Sequence, residues 1–273
     1  MSTAVFELTT SIKGRIAELQ LLCTKASEYS EKNDDVYNVL CRSCCVLIAS
    51  HIEGFLKDLS SSIIADLNYY IGQFDKMPAA MQRAFCMKIA FYEGVEQNEI
   101  DTRIKQLMAF FKNNNVPIDM SAFTYKENPN KNTSSDHIDK IFSKFGINNI
   151  TASIAIPRLL VVFEDDHGKN YRLARDIKKL QSHLYKFPYR PLPKEYAFSE
   201  VSAGKKSTLQ QTLWHTFIEE ILTRRHLIAH GDTTDNVTTH EQLEKDIFKT
   251  KILMYGVMYS ATSRFSGKID VQS

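Results

Sequence analysis

Apolar side chains recur at three- and four-residue steps along much of this chain, the spacing that collects them on one face of an α-helix. The first such run covers residues 6–29, with Ile12, Ile16, Leu19 and Cys23 in step. Asn33-Asp34-Asp35 then offers a helix start whose first turn is acidic, as the helix dipole favours. From Val36 a narrow stripe of Cys41, Cys45, Ile48, Ile52, Leu56, Leu59 and Ile63 continues to Leu67 and predicts a long helix central to the core. Met77-Pro78 interrupts the pattern. Residues 79–92 and 99–111 predict two shorter helices, the second closed by Asn113-Asn114-Asn115-Val116-Pro117. Residues 125–135 are polar and poor in helix formers, and read as an exposed loop. Ser135 and Asp136 can cap a short helix that runs to Phe145 and stops at Gly146. Residues 154–163 are apolar and in places β-branched; with Pro157 among them, a short strand is one reading. Ser207 opens a further helix, with Leu209, Leu213 and Phe217 facing inward and Trp214 beside them, and it carries straight into Arg225. After Gly231 a polar loop over 232–239 leads to a last helix over 241–264, whose Leu243, Ile247, Met254, Met258 and Ala261 form another core stripe. The expectation is an all-α fold.

Composition agrees with a chain that builds a sizeable core. Of 273 residues, 43% are hydrophobic and 24% charged, ordinary values for a globular protein. Net charge is only +2, so attraction to nucleic acid has to come from local clustering. Residues 169–206 supply it, with ten Lys/Arg against three acids and with Tyr171, Tyr185, Phe187, Tyr189 and Tyr196 interleaved. Basic side chains neutralise phosphates and aromatic faces stack on unpaired bases, so Lys178, Lys179, Arg190, Lys205 and Lys206 are candidate RNA contacts. A solvated linker whose aromatics pack on the domain beneath accounts for the composition somewhat better. Pro188, Pro191 and Pro193 forbid a continuous helix there.

The five cysteines are Cys23, Cys41, Cys44, Cys45 and Cys86. Cys41-x-x-Cys44 has the spacing of half a zinc site, but no second pair follows at a suitable distance. Three of the five fall inside an apolar helical pattern, which predicts buried, reduced thiols. An odd count, with no leader pattern at Met1-Ser2-Thr3-Ala4, points to the cytoplasm. No apolar run is expected to reach the length of a membrane span, and no phosphate-binding loop, dinucleotide fingerprint or nucleophile elbow occurs.

The chemistry concentrates in Thr223-Arg224-Arg225-His226-Leu227-Ile228-Ala229-His230-Gly231-Asp232. An arginine presents a permanent charge and a planar fork suited to phosphate, and a histidine exchanges a proton near neutral pH. Successive helical residues turn by about 100°, which leaves Arg225 and His230 about 140° apart while His226 and His230 share a face. A site that uses Arg225 and His230 together therefore needs a helix end at His230-Gly231 or a second copy of the helix. His226-x3-His230 also has the spacing of half a metal site, but no nearby Cys, Asp or Glu stands out as a third ligand, Asp232 being only a candidate, and no metal is expected. A basic cluster at a helix C-terminus is favoured by the dipole without any further role.

Arg225-His226, three residues, then His230-Gly231 resembles the R-[NDH]-x3-H signature of the HEPN superfamily, an all-helical group rich in RNases. The run from Ile221 to Gly231 is similar to the R-N-x-I-A-H-G form of the RiboL-PSP and MAE-type HEPN nucleases, with His226 where Asn is commoner. Ser50-His51-Ile52-Glu53-Gly54-Phe55-Leu56-Lys57-Asp58-Leu59 resembles their first long core helix, and residues 70–206 read as a mostly helical insertion within a single domain over 1–273. The resemblance implies a homodimer whose paired motifs face each other across a two-fold axis. It also implies metal-independent RNA cleavage without a cofactor, in which the ribose 2′-OH attacks the adjacent phosphorus. His230 would move the proton and Arg225 would stabilise phosphoryl charge. His226 would orient its neighbours or bind phosphate, and Arg224 would hold the RNA backbone. His51 and Glu53 lie on the flanks of the long helix. Either could reach the site in support, although a surface imidazole and a solvated carboxylate explain them as well. The implied role is a toxin or anti-phage effector with an antitoxin or defence-complex partner. A non-catalytic RNA- or nucleotide-binding module and a structural dimerisation subunit are the competing readings.

Overall fold

The computed structural model describes residues 2–119, 123, 135–198, 212–231 and 238–266. The described chain is helical, with one isolated antiparallel bridge between Gln73 and Pro117 and no strand. In chain order the α-helices are α1 (Ala4–Tyr29), α2 (Asp34–Tyr70), α3 (Ala79–Ala90), α4 (Gln97–Asn113), α5 (Ser135–Ser143), α6 (Ile150–Ser153), α7 (Pro157–Leu160), α8 (His167–Leu180), α9 (Leu213–His230) and α10 (His240–Ser263).

The long helix foreseen from Asn33 onward is α2, and Asn33 caps it by accepting the Val36 N–H. Every member of its apolar stripe from Cys41 to Leu67 is buried, and α1, α9 and α10 pack around it. Gly54 lets α1 come close: a Cβ at that position would meet Arg15 Nη1 at 2.7 Å. One expectation is corrected here. By length and composition α2 can cross a membrane, since an 18-residue window of it reaches a mean hydropathy of 1.5. Half of that window is buried within the fold, so packing against α1, α9 and α10 accounts for its apolarity.

Thr3 caps α1, and the Asp66 carboxylate on α2 accepts the Ala4 and Val5 N–H groups at 2.7 and 3.1 Å. Asp66 also accepts the Tyr189 hydroxyl at 2.7 Å, which ties the proline-rich segment to the two long helices. Burial pushes the Asp66 carboxyl up, and these three donors pull against that shift.

The 154–163 segment is not a strand. Ile154 caps α6, Pro157 occupies the first turn of α7 where a missing N–H costs nothing, and Val161–Phe163 is a 3₁₀ turn. The inward face of α9 also differs from expectation. Leu213 is 51% exposed, whereas Trp214, Phe217, Ile218 and Ile221 are buried. A stripe that drifts with the 3.6-residue period replaces the strict four-residue series expected from Leu209. Ser207 and Leu209, the loop over 125–134 and the loop over 232–237 lie outside the described residues.

Gly146 has φ +75°, and a Cβ there would meet the Ala80 carbonyl carbon at 2.7 Å. Both the left-handed turn after α5 and the contact with the start of α3 depend on its hydrogen. Gly146→Ala is expected to lower unfolding stability by about 2–4 kcal/mol, from αL strain plus overpacking, read as a urea midpoint shift at unchanged slope. All five cysteines are buried free thiols. Burial pushes the Cys23 thiol up to about 12 and the Cys86 thiol up to about 11, and raises Cys44 and Cys45 too. Accordingly no thiol should react with a disulfide reagent at pH 8 until urea unfolds the chain. A fast stoichiometric reaction would contradict the burial.

Candidate functional site

The basic stretch forms the last turns of α9. Thr212 caps the start of this helix by accepting the His215 N–H, and Gly231 ends it at φ +73°, donating its N–H to the Ile228 and Leu227 carbonyls. Nothing lies within 4 Å of where a Gly231 Cβ would stand, so glycine is needed there for conformation and not for space.

The helix is unbroken through His230, so Arg225 and His230 diverge as the geometry requires. Arg225 follows Trp214, Ile218 and Ile221 at steps of eleven, seven and four residues. It therefore continues the buried side of α9 and is itself half-buried. His226 and His230 continue the opposite, polar stripe of Glu219 and Thr223. Both are exposed, with ring centroids 4.2 Å apart. Among the described residues, no ion pair engages Arg225, His226 or His230.

Arg224 is placed differently from its expected role on the RNA backbone. Its guanidinium donates to Asp246 on α10 at 2.6 Å and reaches Thr238 Oγ1 at 3.5 Å. The Asp246 side chain is only 2% exposed and also accepts from Gln242 at 2.9 Å. A charged, hydrogen-bonded pair of this kind fixes the relative position of two helices, so Arg224 anchors the end of α9 to the start of α10. Sequence reasoning missed Asp246. The available signal was an acid between Leu243 and Ile247, in the middle of an apolar stripe.

Glu53 is half-buried on α2, eight residues or about 12 Å along the axis from Cys45. No described hydrogen bond joins it to the motif. His51 is not a surface imidazole. It is buried between Arg15, whose Nη1 lies 3.3 Å from Nδ1, and Glu18, whose carboxylate lies 3.1 Å from Nε2. Burial lowers its pKa; Glu18 raises it and Arg15 lowers it further. Arg15 also pairs with Asp58 at 2.7 Å, so this cluster clasps α1 to α2 on a flank about 200° round the helix from Glu53.

The basic and aromatic segment is part of the packed fold. Residues 167–180 form α8, and Phe187, Tyr189 and Tyr196 are buried, with Phe187 stacked on Tyr70 at 4.8 Å. Those three rings are unavailable to stack on bases, while Tyr171 and Tyr185 are exposed. Lys178, Lys179 and Arg190 are exposed; Lys205 and Lys206 lie outside the described residues. The end of α8 is held at Tyr255 and Tyr259, through Gln181 and the Ile177 carbonyl. Tyr259 is thirteen residues beyond Asp246, so Lys178 and Lys179 stand about 20 Å along α10 from the Arg224 anchor.

An all-helical bundle that presents an arginine and two histidines at the closing turn of one inner helix has the build of a HEPN-type protein. A model of the RiboL-PSP-HEPN family matches residues 10–257, and the chain belongs to that family. Searches of curated proteins and of solved structures found no match.

Proposed function

We propose that two copies of this chain pair through the ends of α9 and cleave RNA without a metal, Arg225 of one copy acting with His230 of the other. The observation that supports this most is the closing turn of α9. It exposes a histidine pair and sends Arg225 off the opposite side, so the groups needed to cut a phosphodiester are present but divergent within one chain. In this reading the 2′-OH attacks the adjacent phosphorus, His230 transfers the proton, and Arg225 stabilises charge on the phosphoryl oxygens. The products are a 2′,3′-cyclic phosphate and a 5′-OH. His226 binds phosphate or orients His230, and Glu53 is left a supporting place on α2. Arg224 positions the helix through Asp246.

RNA approaches from the C-terminal side of α9. The open groove along its polar stripe, about 640 Å³ beside His215, Thr223 and Gln242, carries Glu219 and Glu220, which repel a phosphate chain. Lys178, Lys179 and Arg190 then act as outlying backbone contacts. In this reading the protein is a growth-arresting or anti-phage effector held in check by an antitoxin or a defence-complex partner. Arrested growth on expression, relieved by His230→Ala, would support it.

The divergence of Arg225 and His230 also favours a second reading, in which an unpaired chain binds RNA and leaves it intact. Incubating the protein with total RNA in EDTA separates the two. Cyclic-phosphate ends support the nuclease, whereas salt-sensitive binding to uncut RNA supports the module.

A further inference from the structure

Between α1 and α10 lies a cavity of about 380 Å³ that the ribonuclease reading does not use. Ile16, Gln20, Cys23 and Thr24 line it from α1, and Glu244, Ile247, Phe248 and Lys251 line it from α10. Ile16, Cys23 and Ile247 are buried and make an apolar floor, while Gln20, Thr24 and Glu244 are exposed at the mouth. The size falls within the range of small-molecule sites, which combine apolar walls with a few polar groups. Cys23 is not a reactive element of it, because its thiol donates to the His240 carbonyl at 3.3 Å and burial raises its pKa.

Lys251 makes the cavity more than a packing gap. It is half-buried, and none of the ion pairs described for this fold engages it. Burial alone lowers its pKa, with no neighbouring acid pulling the other way. An ammonium that is partly desolvated and unpaired gains more from an incoming anion than an exposed one does. Glu244 stands seven residues away on the same helix, about 10 Å along the axis. It disfavours a second anionic group at that end and so excludes polyanions. One cation, an apolar wall and an acid at the far end fit a ligand with a single negative charge and a hydrocarbon body.

We infer that this cavity binds a small monocarboxylate with an aliphatic chain, its carboxylate on Lys251 and its chain against Ile16, Ile247 and Phe248. The site is independent of the paired α9 ends, and its test requires no RNA.

Isothermal titration of the full chain with butanoate, hexanoate and octanoate reads the proposal directly. Saturable one-to-one binding is expected, tightening about three- to four-fold per added methylene. Lys251→Met should weaken octanoate about ten-fold or more, the loss of one charge-assisted hydrogen bond, and leave octan-1-ol unaffected. Thr24→Trp, a change at an exposed position, should block the mouth and abolish binding while circular dichroism stays unchanged. The proposal is overturned if octanoate fails to saturate at millimolar concentration, if Lys251→Met binds it as well as the parent chain, or if Thr24→Trp leaves affinity intact.

Discussion

Arg225→Ala and His230→Ala chains are each expected to lose about 10²–10³ of RNA-cleaving activity, the usual effect of removing one preorganised charge-stabilising or proton-transfer group. Neither change should unfold the protein, since His230 is exposed, Arg225 is half-buried, and no described ion pair depends on either. The informative experiment mixes the two inactive chains. A dimer with one Arg225→Ala and one His230→Ala subunit holds one site lacking both groups and one site with both intact, if arginine and histidine come from different copies. With free exchange half of all dimers are mixed, so an equal mixture should recover about a quarter of parental activity. No recovery, with mixed dimers demonstrated, would mean that each chain uses its own pair, and the composite site would be abandoned.

Asp246→Ala is expected to have the largest effect on stability. It would leave Arg224 partly buried without its partner, and breaking one side of such a pair costs about 3–5 kcal/mol. The Asp246 side chain is 2% exposed and that of Arg224 24%, so water cannot fully replace the lost contact. A double variant, Arg224→Met with Asp246→Leu, should recover much of the loss because no charge then stays buried. Urea unfolding measures both. If Asp246→Ala shifts the unfolding free energy by less than about 1 kcal/mol, the anchor is not what holds the end of α9.

Several features that depend on neighbours along the chain were legible in the sequence, although the Pro157 turn of α7 and the Asp166 cap of α8 were local signals that went unread. The Asn33 cap, the α2 stripe from Cys41 to Leu67, the stop at Gly146 and the end of α9 at Gly231 were all readable. Periodicity and capping act over one to three turns, and the residues responsible adjoin the structure they cause. The motif from Arg225 to His230 was readable for the same reason, as was the splay of its two ends, which follows from helical geometry alone.

What lay beyond that range was decided by packing. His51 looks like a flank residue until Arg15 and Glu18 arrive from α1. Tyr189 and Tyr196 resemble a stacking surface until Asp66 and Arg158 engage their hydroxyls. Arg224 looks like a phosphate ligand until α10 returns with Asp246 twenty-two residues later. By itself the sequence determined the helices with long apolar stripes, α1 to α4 and α10, while the turns over 154–163 and the helix α8 were not read from it. Only the tertiary structure decided which charges meet, because the strength of an ion pair depends on separation and desolvation in space, and spacing along the chain encodes neither once the helices fold back on one another.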